Sequence, residues 1–296
     1  MGKLAVISDL HADINHLNEE LYFMRDYLER LNVTHVHFAG DVANKVDKTL
    51  EVVYFFDQKI PATFHWGNHE MADIDKEINF EDFNDPHFLN FQTQNLSDST
   101  VLLGVNGWYD YSFVPDAEEK EYQRKKNLYW YDRFIDRTAS DPQITEYICQ
   151  RLKETLKTIP DTKKVILSTH FVPKEDFIIQ HSEKYKRWNQ LNAFLGSKKF
   201  GAVLDEFANV KQVVFGHTHH RFTKQMLQQT MYHCRPFGYY YEWYLTRSFI
   251  SKNHLADTFN PLKARTLLKH YSKTFAEYKK QHILNELQQG MVLLDY

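Results

Sequence analysis

Short apolar runs alternate with amphipathic segments in the first part of the chain. Leu4 to Ile7 is continuously apolar, as in a buried strand, and residues 35–39 and 62–66 predict two more strands. Between the first two runs, apolar residues recur at helical spacing, at Leu17, Leu21, Met24, Leu28 and Leu31. Residues 48–57 predict a second helix, and Asp13 is predicted to cap the first. Strands that alternate with helices in this way pair in parallel, which predicts an α/β fold.

The rest of the chain continues with both element types. Further strands are predicted over 101–108, 164–168 and 212–215, and helices over 116–137, 142–158 and 186–208. Asn260-Pro261 is a typical helix start, and the helical pattern that follows is predicted to end at Gly290. The last six residues, MVLLDY, could add an edge strand.

Composition indicates one compact domain. The chain has 296 residues with only 10 glycines and 8 prolines, and no Ser/Gly/Pro-rich stretch that would act as a flexible linker. We therefore expect a single domain over 1–296. Within it, about 110–160 could form a helical cap, and about 255–290 a helical extension at the C-terminus.

Charge and cysteine content narrow the partners and the compartment. The net charge is −3 and the basic clusters are short, so nucleic acid is an unlikely partner. Two cysteines in no metal or redox spacing suit a reducing compartment. The apolar run at the N-terminus is too short for a signal peptide or a membrane span, so we expect a cytoplasmic protein without a membrane partner. Oligomeric state is left open.

Aromatic residues make up 15% of the chain and cluster at 108–111, 129–131 and 239–241. Core packing is the expected role of these clusters. An aromatic-lined substrate cleft is the alternative.

Residues that can bind metal follow five of the predicted strands directly. They are Asp9 and His11, Asp41, Asn68 with His69 and Glu70, His170, and finally His217 and His219. In open α/β sheets, functional groups gather at the carboxyl ends of the strands, so the five loops could meet at one place. Each motif alone is weak evidence, because a histidine near a strand end is usually a structural residue. All five in order predict a shared metal site.

The ligand types indicate which metals fit and what substrate they would attract. Two carboxylates, four imidazoles and one amide oxygen suit manganese, iron, zinc, cobalt or nickel, with manganese the first guess. Seven ligands exceed what one catalytic ion can use, which favours two divalent ions. Asp9 and Asp41 together with a bridging hydroxide would leave positive charge, and this favours a phosphate ester as substrate.

The ordered motifs D-x-H, G-D, G-N-H-E, a later His, and G-H-x-H resemble those of the calcineurin-like metallophosphoesterase family. The match runs from Asp9 to His219. The resemblance implies a four-layer α-β-β-α sandwich of two mixed sheets flanked by helices, with a dinuclear centre at one end. It also implies a ligand assignment: Asp9, His11 and His219 on the first metal, Asp41 bridging, and Asn68, His170 and His217 on the second. His69 matches the family's histidine that lies near the substrate without binding metal.

The resulting hypothesis is a metal-dependent hydrolase that cleaves a small phosphate mono- or diester. A hydroxide held between the two metals would attack phosphorus, and His69 would donate a proton to the leaving oxygen or hydrogen-bond the phosphate. Two alternatives stay open: a catalytically silent scaffold that docks partner proteins, and a nuclease with the same motifs.

Overall fold

The computed structural model describes residues 2–296, without the side chains of residues 183 and 184. This part of the chain contains ten strands: β1 (Lys3–Ile7), β2 (His35–Ala39), β3 (Ala62–His65), β4 (Gln92–Asn95), β5 (Thr100–Val105), β6 (Lys164–Thr169), β7 (Val210–Phe215), β8 (Gln225–Leu227), β9 (Thr230–Cys234) and β10 (Met291–Asp295). They form two sheets, in the orders β10-β1-β2-β3 and β4-β5-β6-β7-β9-β8.

Both sheets are mixed, with a parallel centre. Strands β1, β2 and β3 pair in parallel, as do β5, β6, β7 and β9, while β10, β4 and β8 join as antiparallel edge strands. Most of the parallel pairs follow from intervening helices, because a helix returns the chain to the same end of the sheet. The pair of β7 and β9 is the exception, since only loop and β8 lie between these two strands. The predicted C-terminal edge strand is confirmed as β10, which pairs with β1.

Ten α-helices fill the connections of the described chain. They are α1 (Glu19–Arg30), α2 (Val46–Asp57), α3 (Asn68–Met71), α4 (Ile78–Glu81), α5 (Glu119–Tyr129), α6 (Asp141–Thr158), α7 (Lys198–Asp205), α8 (Tyr244–Lys252), α9 (Pro261–His270) and α10 (Ser272–Gln289). Three 3₁₀ segments add Tyr131–Phe134, Glu175–Phe177 and Glu183–Phe194. None of these helices is long and apolar enough to cross a bilayer.

The strand faces establish the four layers. Leu4 and Val6 of β1 belong to a cluster with Leu102 and Ile166 of the second sheet, so these side chains lie between the sheets. The alternate residues Ala5 and Ile7 of β1 belong instead to the core on the helix side. Since successive side chains of a strand point to opposite faces, each sheet packs on the other sheet and on helices. The predicted α-β-β-α sandwich is confirmed.

Part of the layer between the sheets is polar. His35, His37, Thr63 and His65 alternate with the helix-facing residues of β2 and β3, and all four are buried. The Thr63 hydroxyl lies 2.8 Å from His35 Nε2 and 2.9 Å from His37 Nδ1. His65 Nε2 reaches Ser168 of the other sheet at 3.1 Å. Three buried imidazoles thus form a hydrogen-bonded seam between the sheets.

The predicted role of Asp13 as a helix cap is wrong. Helix α1 begins only at Glu19. The Asp13 carboxylate instead accepts hydrogen bonds from the backbone N–H groups of Ile14 and Asn44, each at 2.9 Å. It therefore joins the loop after β1 to the loop after β2, both of which carry candidate metal ligands.

Three long predicted helices are interrupted. The one over 116–137 ends as α5 at Tyr129, and a 3₁₀ segment follows it. The one over 186–208 is 3₁₀ up to Phe194, and only α7 is α-helical. Between this 3₁₀ segment and α7, the chain forms a parallel β-bridge with Val172, and such a bridge requires extended backbone. The Ser197 hydroxyl then caps α7. The C-terminal helix starts at Asn260 and ends at Gly290 as predicted, but it breaks at Tyr271.

Candidate metal centre

The carboxyl ends of β1, β2, β3, β6 and β7 bring the predicted ligands to one end of the two sheets. Their ligand atoms form two groups, and within each group all atoms lie within 4.8 Å of one another. The first group is Asp9, His11, Asp41 and His219, and the second is Asp41, His170 and His217. Asp41 belongs to both. Asn68 joins the second group through its amide oxygen, 3.1 Å from His170 Nε2.

Sharp turns after the strands aim these side chains inward. Asp9, His11, Asp41, His217 and His219 all have positive φ, between 42° and 68°. This left-handed region is uncommon for residues other than glycine, though Asp and His adopt it more readily than most, and it costs of order 1 kcal/mol or more at each position. Such strain is typical of functional sites, where the surrounding structure holds it.

Two motif glycines are needed because a carboxylate fills their side-chain space. A Cβ on Gly67 would overlap Asp41 Oδ1, and one on Gly216 would overlap Asp9 Oδ2. The G-N-H-E and G-H-x-H loops can therefore close on the other two loops only with glycine there.

Hydrogen bonds to the outer ring nitrogens determine which atoms face the centre. His170 Nδ1 lies 3.1 Å from the Ala39 carbonyl, and His217 Nε2 lies 3.2 Å from the Phe194 carbonyl. A carbonyl only accepts, so these nitrogens carry the protons and the opposite nitrogens present lone pairs. Those two nitrogens are 3.2 Å apart.

Further acceptors point at the same place. The Asn68 side-chain N–H donates to Asp132 at 2.7 Å, which turns the amide oxygen toward His170 Nε2. Asp41 Oδ2 lies 3.4 Å from the same nitrogen. Four acceptor atoms face one another here, and this arrangement requires either extra protons or a cation between them.

The first group repeats this pattern at His219 but not at His11, whose Nδ1 has no hydrogen-bond partner among the described residues. His219 Nδ1 lies 2.8 Å from the Glu242 carboxylate, so its Nε2 faces inward. That nitrogen is 3.1 Å from His11 Nε2 and 3.4 Å from Asp9 Oδ1. His11 Nε2 is in turn 3.8 Å from Asp41 Oδ2. The donor set of both groups, imidazole nitrogen with carboxylate and amide oxygen, fits divalent transition-metal ions.

The pKa values divide the ligand histidines in two: burial lowers the pKa of His217 to about 3 and that of His11 well below its usual value, whereas the pKa values of His170 and His219 are raised. Burial alone would lower the pKa of His170, but Asp41 outweighs it and raises this pKa to about 9. Burial would also lower the pKa of His219, but Glu242 and Asp9 outweigh it and raise this pKa well above its usual value. Burial would raise the pKa of Asp41, yet His170 and His69 hold it well below its ordinary range. Burial would also raise the pKa of Asp9, but His219 and His170 lower it, so both carboxylates are ionised and need cationic partners.

Comparison with known proteins agrees with this geometry. The family model described as calcineurin-like phosphoesterase matches residues 2–221. The chain belongs to the calcineurin-like phosphoesterase family. All the predicted ligands of this calcineurin-like phosphoesterase fall within the matched range, whereas α8, α9, α10 and β10 lie beyond it.

A solved structure shares the fold. The phosphopantetheinyl hydrolase PptH from Mycobacterium tuberculosis superposes with a TM-score of 0.58 at 18% identity, covering 82% of this chain and 91% of that one. A dimetal phosphatase from Danio rerio gives a TM-score of 0.49 at 15% identity, covering 79% and 87%. A comparison with curated protein sequences gave no match.

Glu70 of this calcineurin-like phosphoesterase fixes the ligand loops from behind. Its buried carboxylate accepts hydrogen bonds from the backbone N–H groups of Asp41, Val42, Ala43 and Gly67, at 2.6 to 3.2 Å. The hydroxyl of Thr49 adds another at 2.9 Å. One side chain therefore ties the loop after β2 to the loop after β3.

His69 lies beside the metal groups in an aromatic setting. Its Nδ1 is 2.6 Å from Asn44 Oδ1, and its ring stacks on Tyr131 with a centroid distance of 4.0 Å. Its Nε2 is 3.1 Å from the Tyr239 hydroxyl and 3.9 Å from Asp41 Oδ2. Since the Asn44 oxygen can only accept, Nδ1 carries the proton and Nε2 accepts from Tyr239.

Sequence reasoning missed the residues that orient the ligands. Asp132 and Glu242 are separated from the motifs along the chain, and no local pattern marks them. Tyr239, which contacts His69, lies in the predicted aromatic cluster 239–241. Asn44 could have been found, because it follows G-D by a few residues on a loop that already carries a ligand.

The aromatic clusters divide between the two roles considered. Trp108, Tyr109 and Tyr111 are buried in the core, as expected. Tyr131 and Tyr239, by contrast, flank His69 at the site.

Proposed function

We propose that this calcineurin-like phosphoesterase is a dinuclear-metal-dependent hydrolase of phosphate mono- or diesters. The observation that carries the proposal is the convergence of acceptor atoms in two groups that share Asp41. The first ion would be held by Asp9, His11, Asp41 and His219, and the second by Asp41, Asn68, His170 and His217. Bound ions of this kind activate water at neutral pH and offset charge on phosphate oxygens. Manganese is our first candidate.

The chain's own residues complete the chemistry. Glu242, Asp132 and the carbonyls of Ala39 and Phe194 fix the ligand rings and the amide, so that their lone pairs are preorganised. Five of the seven proposed ligands are buried and His217 and His219 are partly exposed, which limits competing water and strengthens electrostatic interactions with an anionic substrate.

His69 and Tyr239 are proposed to serve the leaving group. In the resting arrangement, His69 Nε2 accepts the Tyr239 hydroxyl hydrogen, so the ring has no proton to give on that side. An ester oxygen entering next to Asp41 would compete for the tyrosine hydroxyl. We propose that Tyr239 then donates its single hydroxyl hydrogen to the leaving oxygen instead of to His69 Nε2, while Asn44 and the stacked Tyr131 ring keep His69 in position beside it. This adds Tyr239 to the role first expected for His69 alone.

The metal-ligand assignment is tested by replacing one shared and one unshared ligand. Asp41→Ala should empty both positions and His217→Ala one of them, and each should abolish turnover of chromogenic phosphate esters with manganese present. Metal content by mass spectrometry and thermal unfolding separate site loss from misfolding. Asp26→Ala and His270→Ala, at exposed positions, are the matched controls. Full metal content and turnover in both ligand variants would refute the assignment.

A substrate screen decides between the ester classes. The chain should be tested with phosphomonoesters, phosphodiesters, cyclic nucleotides and dinucleotides under the same metal conditions. We expect turnover of at least one class that disappears on chelation and returns with added metal.

A further inference from the structure

A basic groove adjoins the metal centre on the side of the C-terminal helices. It consists of two neighbouring cavities of about 290 and 360 Å³ that share Arg221 and Tyr244. The first cavity is lined by the candidate metal ligand His219 and by Arg247, and the second is lined by Lys224 and Arg235. We call these two cavities the distal groove. Their volumes lie at the lower end of the range typical of small-ligand sites.

The charge of the distal groove is opposite to that of the whole chain. Leaving the histidines aside, it is lined by four cationic side chains and by only two carboxylates, Glu242 and Glu286. Glu242 is already occupied by His219 Nδ1 and the Tyr239 N–H, and Glu286 by Arg221 and the Leu245 N–H. A groove with surplus positive charge on a chain of net charge −3 favours an anionic occupant.

Arg221 stands at the junction of the two cavities with part of its guanidinium unused. Its side chain is only 7% exposed and is anchored by Glu286 at 2.7 Å and by the Pro236 carbonyl at 3.1 Å. Its Nη1 is buried and has no hydrogen-bond partner among the described residues. An unsatisfied buried donor of this kind is costly unless a ligand supplies an acceptor.

The other cations are held in place without a carboxylate partner. Arg247 lies over the Phe259 ring at 4.8 Å and over Tyr244 at 5.6 Å. Arg235 uses its Nε to hold the Gln289 carbonyl, which leaves its two terminal nitrogens for a ligand. Within residues 2–296, neither arginine nor Lys224 forms a described ion pair. Two ordered guanidinium groups are well suited to phosphate oxygens, which they can bind through paired hydrogen bonds.

We propose that the distal groove binds a second phosphate group of the substrate, while the ester to be cleaved lies at the metal centre. This inference rests on the proposed function and narrows it to phosphate esters that carry another phosphate along the same molecule. His219 lines the groove and its Nε2 faces the candidate metal centre, so the two binding positions share this side chain, and one extended ligand that occupies both would pass it. Arg247 and Arg235 are then specificity residues, with no part in the reaction.

Inhibition by compounds with one or two phosphates tests the proposal. The metal-loaded protein turns over a chromogenic ester in the presence of butyl phosphate or of alkanediol bisphosphates of increasing length. At a matching length, the bisphosphate should inhibit about tenfold more strongly than butyl phosphate. Arg235→Ala and Arg247→Ala should each reduce that advantage by about fivefold, because one exposed charge pair changes affinity by about that factor. Inhibition by butyl phosphate should stay within about twofold of its wild-type value. Arg30→Ala, an exposed position on α1, should change neither.

The possible outcomes separate the two proposals. The groove proposal is wrong if butyl phosphate and the bisphosphates inhibit equally at every chain length. It is also wrong if the bisphosphates keep their advantage in the combined Lys224→Ala, Arg235→Ala and Arg247→Ala variant. If no ester is turned over, the proposed function fails. The groove is then judged by calorimetry with the bisphosphates alone. If the wild type binds the bisphosphates and the combined variant does not, the result supports the distal groove as a phosphate site. If both proteins bind them, or if neither does, the groove proposal is wrong.

Discussion

The histidine seam between the sheets should make the fold sensitive to mild acid. His35, His37 and His65 are buried, and burial lowers the pKa of His35 to about 4 and that of His65 to about 3. The pKa of His37 is also well below its usual value, because of burial and the other two rings. We propose His35→Gln as the perturbation, since an amide can keep a hydrogen bond to Thr63 but cannot take up a proton.

The size of the effect follows from the difference in pKa between the folded and unfolded states. An unfolded histidine titrates near 6.5, so below that pH the unfolded chain binds protons that the folded chain excludes. Stability is therefore complete above about pH 6.5 and falls as pH drops toward the folded pKa. For His35 the loss is about 2 kcal/mol at about pH 5. Losses of that size at all three rings would approach the total stability of a typical domain, about 5–15 kcal/mol.

Urea unfolding followed by tryptophan fluorescence, at about pH 7 and about pH 5, measures this directly. The free energy of unfolding of the wild type should fall between the two conditions by about 2 kcal/mol more than that of His35→Gln. The ligand histidines also contribute to the pH dependence, because their folded pKa values differ from the unfolded value, but they do so in both proteins, so the difference between the proteins isolates His35. His270→Gln, an exposed position, should behave like the wild type.

An acid-induced loss of the same size in the wild type and in His35→Gln would refute the reasoning. It would mean that the ring is protonated in the folded state, or that the loop and ligand groups carry the whole pH dependence.

Three further predictions concern the metal centre. Asp132→Leu frees the Asn68 amide to rotate and should weaken binding at the second metal position about 10- to 100-fold by metal titration, whereas Asp132→Asn, which keeps an acceptor, should lose less. Tyr239→Phe should lower kcat with metal content unchanged, and an unchanged kcat would remove the tyrosine from the mechanism. Chelation should lower the thermal midpoint, since ions at about 100 times their Kd add about 2.7 kcal/mol of stability, and a midpoint insensitive to metal would argue against both sites.

The sequence was most informative where a short buried strand ended in a polar motif. Asp9, Asp41 and His217 could be placed because a strand must end at a sheet edge, and the residues just after it share that edge whatever the packing of the helices. The apolar runs also predicted the parallel pairing of β1, β2 and β3, since helices separate these strands. These are local rules, and they hold without knowledge of tertiary contacts.

Contacts between distant segments could not be read in the same way. Asp132 reaches Asn68 across 64 positions, and Glu242 reaches His219 across 23, so neither pairing leaves a spacing that a motif could show. The helix predicted over 186–208 failed for a similar reason. Helical propensity there was overridden by a bridge between the chain near Gly196 and Val172, a tertiary contact.

Glu70 explains how a centre made of mutually repelling acceptors can be held before any cation binds. Left-handed backbone and unpaired lone pairs both oppose the observed arrangement of the ligand loops. Hydrogen bonds from four backbone N–H groups to the buried Glu70 carboxylate offset both of these costs. These hydrogen bonds join the loops after β2 and β3 and use none of the lone pairs that face the centre. The ligand carboxylates also hold loops, because Asp41 accepts the His69 N–H and Asp9 accepts the His217 N–H. It follows that an imidazole substitution such as His217→Ala should remove metal while leaving the loops folded, whereas Asp41→Ala also removes a loop hydrogen bond and needs the thermal-unfolding control.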